Sequence, residues 1–452
     1  MSAFIAIVGA IFAFFIVVVV HEYGHFIVAR LVGIKVLRFS IGFGKPIFKY
    51  RAKSGVEYVI GFLPLGGYVK MQDASGAPDA SLSQLGSSGD PFESKPLWAR
   101  MAVVLAGPIA NLILATVVFA IVFMLGVTQL KPIIGDVTPQ SIASKAALQS
   151  GDQIMQMGNW KTNDWQRVIM FLITHIGDPK DISIRVLPHN AKTPITRTIN
   201  LTHWQFDPLK PDLLSSLGVA PYFPKIPPVV STVLADSPAS KSDLRANDII
   251  VSINQVAVSS WQDFVKWVEK HPDQTATLTV KRDNTLKQIS VHIGEKNKMG
   301  FLGIHPKSIK IPENLKFKEQ YPWYLTGGPS LQLTEQWMVF HLVVIKQMVM
   351  GRISMKTLGG PVSIFQTAGS ASLEGLIAYL QFIALISVVL GVLNLLPIPA
   401  LDGGYFMFFV IEAVIRRPLP ARIQILLINV GVILLLTMMV YATINDVTRL
   451  LK

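Results

Sequence analysis

Apolar runs long enough to cross a bilayer set the first limit on what this chain can be. Ala3 to Val20 is an unbroken apolar run of 18 residues that continues past His21 to Ala29. Others cover Met101 to Val127, Leu376 to Ile415 and Ile423 to Ile444. At a rise of about 1.5 Å per residue, each is long enough for a helix across roughly 30 Å of hydrocarbon. The third, at 40 residues, is too long for one span. The first lacks a basic leader and an A-x-A cleavage site, so it reads as a retained span and not as a signal peptide. Charged residues make up only 15% of the chain and mean hydropathy is +0.46, which argues against disorder and against an ordinary soluble enzyme.

Lys and Arg flanking the runs predict orientation. Arg30, Lys35, Arg38 and Lys45 follow the first run, Lys95 and Arg100 precede the second, and Arg416, Arg417 and Arg422 separate the third from the fourth. The positive-inside rule puts residues 30–100 and 416–422 in the cytoplasm, both ends outside and 128–370 beyond the membrane; Arg449 and Lys452 weakly oppose it. The formal charge of +13 is spread along the chain. It orients spans and meets the lipid bilayer, and no nucleic-acid partner is expected.

Residues 128–370 contain a repeat. Ala143, Ser144, Lys145, Leu148, Asp152, Ile154, Trp165 and Gln166 recur, 96 residues on, as Ala239, Ser240, Lys241, Leu244, Asp248, Ile250, Trp261 and Gln262. Identities in one order at one offset predict two copies of a module. The second copy has alternating segments at Thr275–Val280 and Gln288–Ile293 after a short helix at Trp261–Lys270. The shared A-S-K-x-x-L-x-x-x-D-x-I resembles bacterial PDZ domains, with Gly151-Asp152 in one copy and Asn247-Asp248 in the other; Asn tolerates the left-handed turn. The resemblance implies capture of an extended chain end by strand addition; a pair of spacers that exclude bulky ectodomains is the alternative. Further on, Leu331–Met350 sets Trp337, Phe340, His341, Val344 and Met348 near one helical face, an amphipathic helix on the membrane surface, on the core or within the insert.

The chemistry begins at His21-Glu22-Tyr23-Gly24-His25. Spacing of i, i+4 puts both imidazoles on one helix face, where they can share a zinc ion, and Glu22 can take a proton from its water. Ionisable groups in a span are functional by default. The chain has no cysteine, which removes disulfides, iron–sulfur ligation and thiolate zinc sites. A third ligand must then be a carboxylate or another His. Pro397 and Pro399 break the third run, and Asp402 just after them lies at a depth close to that of His21 and His25. Asp402 is the expected third ligand, with a helix N-cap as its plain alternative. Glu412 is the other carboxylate, better explained by an ion pair with Arg416 or Arg417.

H-E-x-x-H in the first span, N-x-x-P-x-P-x-L-D-G from Asn394 to Gly403 and two PDZ-like modules resemble the site-2 proteases, intramembrane zinc metalloproteases, in their bacterial sigma-E-regulating form. The resemblance covers essentially the whole chain. It implies Zn2+ on His21, His25 and Asp402, with Glu22 as general base. It also implies substrate-binding positions at Asn394, Pro397 and Pro399, and at Gly107 and Asn111 of a G-x-x-x-N in the second span; on residues alone, Asn111 could equally make an interhelical hydrogen bond. The implied substrates are single-span membrane proteins, such as an anti-sigma factor already cut outside, and remnant signal peptides. The implied place is the bacterial inner membrane, with the modules periplasmic.

Strand-forming segments Ile47–Arg51 and Glu57–Phe62 around Lys53-Ser54-Gly55 resemble that family's membrane-reentrant β-hairpin, which offers an edge to an unwound substrate; a plain cytoplasmic hairpin is the alternative. Residues 73–94 read as a linker. The expected fold is an α-helical integral membrane core of four transmembrane helices with that hairpin, plus two inserted α+β PDZ-like domains. Its parts are helix 1 (1–29), a cytoplasmic loop (30–99), helix 2 (100–127), the modules (128–221 and 222–310), an amphipathic connector (311–370), helix 3 (371–415) and helix 4 (422–446). A metal-translocating membrane protein and an inactive PDZ scaffold are the rival functions, and neither needs Glu22.

Overall fold

The computed structural model of the chain describes residues 2–72, 89–178, 180–202, 204–205, 212–307 and 311–451. The expected linker falls outside them as far as residue 88. Among the described residues four helices are long and apolar enough to cross a membrane: α1 (Ser2–Leu31), α2 (Leu97–Leu125), α7 (Leu376–Leu395) and α9 (Ala421–Leu450). Alanines make the contacts near the middle. Ala10, Ala13 and Val17 of α1 share one core with Ala115, Val118 and Phe119 of α2, and with Ala384 and Val388 of α7. Small side chains let helix backbones approach closely where lipid offers no hydrophobic drive.

Between α1 and α2 run two long strands, β1 (Val36–Arg51) and β2 (Glu57–Met71). They reach well beyond the expected 47–51 and 57–62. Gly42 and Gly44, at φ of +84° and +87°, fold β1 back on itself. Arg38 to Ile41 therefore pair on one side with Glu57–Ile60 and on the other with Gly67–Lys70. The result is a small sheet whose base packs on Phe26, Ala29 and Val103 and whose far end exposes Phe43, Ile47, Phe48, Phe62 and Leu63.

After α2, β3 (Val127–Leu130) leads into the first module: β4 (Gln153–Met157), β5 (Trp160–Lys161), α3 (Trp165–Thr174), β6 (Asp181–Leu187) and β7 (Ile195–Asn200). The second has β8 (Ile249–Ile253), β9 (Val256–Ala257), α4 (Trp261–Glu269), β10 (Thr275–Arg282) and β11 (Thr285–His292). Sheet orders β5-β4-β6-β7 and β9-β8-β10-β11 are the same, so the sequence repeat is a structural one. Equivalent residues do equivalent work. Asp152 accepts from the Gln149 amide and Asp248 from the Arg245 amide, while Asp164 and Ser260 cap the two helices. Asn247 takes φ of +70° where the first copy has Gly151 at +88°.

The returning chain forms β12 (Lys316–Glu319), which pairs with β3, then α5 (Gly327–Val349) and α6 (Pro361–Glu374). The connector is not a separate piece: Ile353 is buried in the first module's core, Met348 packs against it, and Gln347 donates to the Ile176 carbonyl at 2.7 Å. Leu333 and Trp337 of α5 lie on the membrane-helix core. A cavity of about 270 Å³ separates the first module from these helices, bordered by Gln166, Arg167, Trp337, Glu374 and Gln381.

Residues 371–415, expected as helix 3 broken at Pro397 and Pro399, hold the end of α6 and then two further helices. Gly375, at φ of +118°, ends α6 and starts α7, and residues 396–401 then lead into α8 (Asp402–Ile415). Glu412 also differs from expectation: it pairs with Arg100 of α2, through Nη2 at 2.5 Å, and not with Arg416 or Arg417. Arg100 lies over the Phe409 ring as well, so α8 is tied to the start of α2. The two arginines follow α8's end, where Arg416 has φ of +60°.

Candidate metal centre

Close crossing of α1 and α2 builds the site. A Cβ at Gly24 would meet the Ala106 carbonyl at 2.5 Å and Ala110 Cβ at 2.7 Å; one at Gly107 would run into the His25 ring. Glycine at both places lets the backbones touch and leaves room for an imidazole between them. His25 Nδ1 then donates to the Val103 carbonyl at 2.7 Å. That bond fixes the tautomer, because a carbonyl only accepts, and it leaves Nε2 with its lone pair.

Asp402 comes to the same point from α8. Its helix starts at the aspartate, and the position before it, Leu401, makes no side-chain cap. The carboxylate instead faces the imidazoles, with Oδ2 at 3.1 Å from His21 Nε2 and 3.4 Å from His25 Nε2. The two Nε2 atoms are 3.3 Å apart. Oδ2 is buried without a hydrogen-bond donor. Asp402 Oδ2 and His25 Nε2 are thus two acceptors side by side out of water, with the His21 Nε2 beside them, and they repel one another unless a proton or a cation sits among them.

Zinc fits that gap. Ligands about 2.0–2.1 Å from a tetrahedral ion lie roughly 3.3 Å from each other, as these three do. His21, His25 and Asp402 are the one group of potential metal ligands among the described residues. Glu22, next to the first ligand, is buried too, and Gly67 at the edge of the sheet packs against it: a Cβ there would approach Glu22 Cγ to 2.7 Å.

The remaining expected residues lie nearby in different settings. Asn394 is half-buried in the last turn of α7, Pro397 is exposed and Pro399 half-buried. Asn111 is fully buried, with its carboxamide 3.2 Å from His21 Nδ1. Sequence reading missed the Val103 carbonyl, Gly24, Gly67 and Gly431 of α9, whose Cβ would run into the Pro399 carbonyl. Gly24 left a trace, since it lies inside H-E-x-x-H and faces an Ala-x-x-x-Ala pair. A backbone carbonyl leaves none.

The pattern of peptidase family M50 matches residues 9–438. Protease RseP of Yersinia pestis is 38% identical over 455 residues, covering 100% of this chain and 98% of that one. Regulator of sigma-E protease RseP of Escherichia coli K12 is 36% identical over 439 residues, 96% of each chain. A candidate zinc metalloprotease of Vibrio cholerae is 38% identical over 448 residues, 98% of each. Among solved structures, the PDZ domain of an SdrC-like protein from Listeria innocua matches 19% of this chain and 98% of its own, at 22% identity and a TM-score of 0.17.

Proposed function

The chain belongs to peptidase family M50, and from that premise we propose that His21, His25 and Asp402 hold its zinc ion while Glu22 is the general base. It is an intramembrane zinc metalloprotease of the kind that acts in sigma-E regulation. The observation that carries the residue assignment is the meeting of three donor atoms at tetrahedral spacing, with a fourth ionisable side chain beside them.

Zinc, when bound, supplies a Lewis acid that polarises the scissile carbonyl. Glu22 takes the proton of the attacking water and returns it to the leaving amine. The sheet supports the positioning of substrate. Gly67 to Met71 form its edge, paired on one side with Val36–Ile41, and this edge begins at Glu22. A helical peptide bond is shielded, so an extended substrate segment added to that edge presents its bond to the base. Asn394, Pro397 and Pro399 would border the same segment from the α7–α8 side, and Gly107 lies against the ring of His25, one of the residues that would hold the ion. Exposed Phe43, Ile47, Phe48 and Phe62 at the sheet's far end support immersion in lipid, as in a membrane-reentrant hairpin.

The basic flanks support residues 30–100 and 416–422 as cytoplasmic, with the modules in the periplasm and the chain in the bacterial inner membrane. The repeated strand order supports two PDZ-like domains. The names of two relatives speak only of sigma-E regulation; from the motifs' resemblance, the substrates proposed are single-span proteins, among them an anti-sigma factor trimmed outside, and remnant signal peptides. Purified protein in liposomes with a single-span substrate tests this. Cleavage that stops on chelation and returns with zinc is expected; an intact substrate in both detergent and liposomes would rule the reading out.

A further inference from the structure

Three positions one turn apart on a single face of α2 address the imidazoles of α1. Val103 gives its carbonyl to His25 Nδ1 at 2.7 Å, Gly107 leaves space for the His25 ring, and Asn111 sets its carboxamide 3.2 Å from His21 Nδ1. Their i, i+4, i+8 spacing keeps them in line along the helix. Asn111 is 0% exposed, and its Oδ1 has no partner. Its backbone carbonyl accepts from Ser387 Oγ of α7 at 2.8 Å, so the turn that bears it is held from both sides.

Resting on the reading that His21 and His25 hold zinc, we propose that Asn111 is a positioning residue for the metal: its carboxamide oxygen accepts the Nδ1 proton of His21 and leaves the Nε2 lone pair to the ion. The carboxamide nitrogen is the end nearer Nδ1. A donor there would put the ring proton on Nε2, in the way of a ligand bond. Half a turn of the carboxamide exchanges two ends of nearly equal size and brings the partnerless oxygen to a proton it can accept. Both imidazoles are then treated alike. Each gives its Nδ1 proton to an oxygen of α2 and keeps Nε2 for the metal, and an acceptor behind the ring fixes its plane and strengthens it as a ligand. A side chain with no exposed surface does not suit the direct substrate contact expected of it from sequence.

Zinc affinity of the metal-free, purified full chain, measured by competition with a chelator, separates the two roles. Asn111→Leu, of similar size without an acceptor, is expected to weaken zinc binding about 10–100-fold. Asn111→Asp is expected to restore it, because a carboxylate accepts the same proton. Should leucine prevent folding, Asn111→Ser, too short to reach Nδ1, is expected to show the same loss. Wild-type affinity in Asn111→Leu, with turnover lowered only through KM, would overturn the proposal. So would equal losses in the Asp and Leu variants, which would leave Asn111 a packing group. A wild type with no zinc affinity would remove the ligand assignment itself, a result distinct from a tight wild type beside an unaltered variant.

Discussion

Ala400 carries the most telling backbone angle in the molecule. It stands at φ of +91° in the turn Ile398–Leu401, closed by the Leu401 amide on the Ile398 carbonyl at 3.0 Å. Proline at the second position and a left-handed third make a type II turn, where glycine is the expected residue. A Cβ there costs about 1–2 kcal/mol, so Ala400→Gly should stabilise the protein by roughly 1 kcal/mol after allowing for glycine's freer unfolded chain, measured by reversible denaturant unfolding. The turn directly precedes Asp402, and strain of this sort gathers at functional sites. Asp402→Ala should lower zinc occupancy, read by metal analysis of purified protein. At this scale the sequence was legible where chemistry dictates spacing: two His a turn apart on a helix, and an aspartate at similar depth after a proline break. It was silent on Val103, whose side chain has no part in the contact, and misleading on Glu412, whose partner Arg100 lies 312 positions away.

Among the elements, the folded-back sheet was half legible. Alternation and a Ser-Gly turn mark Ile47–Arg51 and Glu57–Phe62, but the second layer of pairing depends on bends at Gly42 and Gly44 that hairpin rules do not foresee. Glu57 holds the layers together, bonded to Arg38 and Lys49 at 2.6 Å each. Burial alone would push its carboxyl up; the two cations more than offset this and hold it below the ordinary glutamate range. A depressed carboxylate stabilises the fold above its unfolded pKa and loses that contribution as pH falls through the folded value. Hydrogen exchange in residues 36–71, corrected for intrinsic rates, should therefore quicken from about pH 5 downward in wild type, and Glu57→Gln should flatten that dependence. Helix α9 presents another test. Its buried residues are Gly431, Ala442 and Asp446, and Gly431 lies on the loop that carries Pro399. Gly431→Leu should displace that loop and lower peptidase turnover on the order of 100-fold, read with the detergent-purified enzyme.

Over the whole molecule, the two copies of the repeat are joined to it differently. The first shares its core with Ile353, and its buried Arg167 pairs with Asp164 at 3.2 Å and with Glu319 of β12 at 3.0 Å. The second closes a core from its own residues, Val230 to Leu302. An offset of 96 in the sequence revealed the duplication but not this asymmetry, because the joining residues lie outside the repeat. Removing Arg167 would leave two buried carboxylates without a cation, so Arg167→Ala should cost about 3–5 kcal/mol and loosen the first module from the membrane core, seen as protease sensitivity of residues 127–221. The fold thus sets one repeat firmly against α5, which itself packs on the membrane-helix core.

Three side chains are proposed to hold zinc while a fourth moves the proton, and Glu22→Gln separates the two tasks. Zinc content and cleavage measured on the same purified preparation should give about one zinc per chain, as in wild type, and no detectable hydrolysis of a single-span substrate. Hydrolysis at the wild-type rate in that variant, with its zinc in place, would exclude Glu22 as the base.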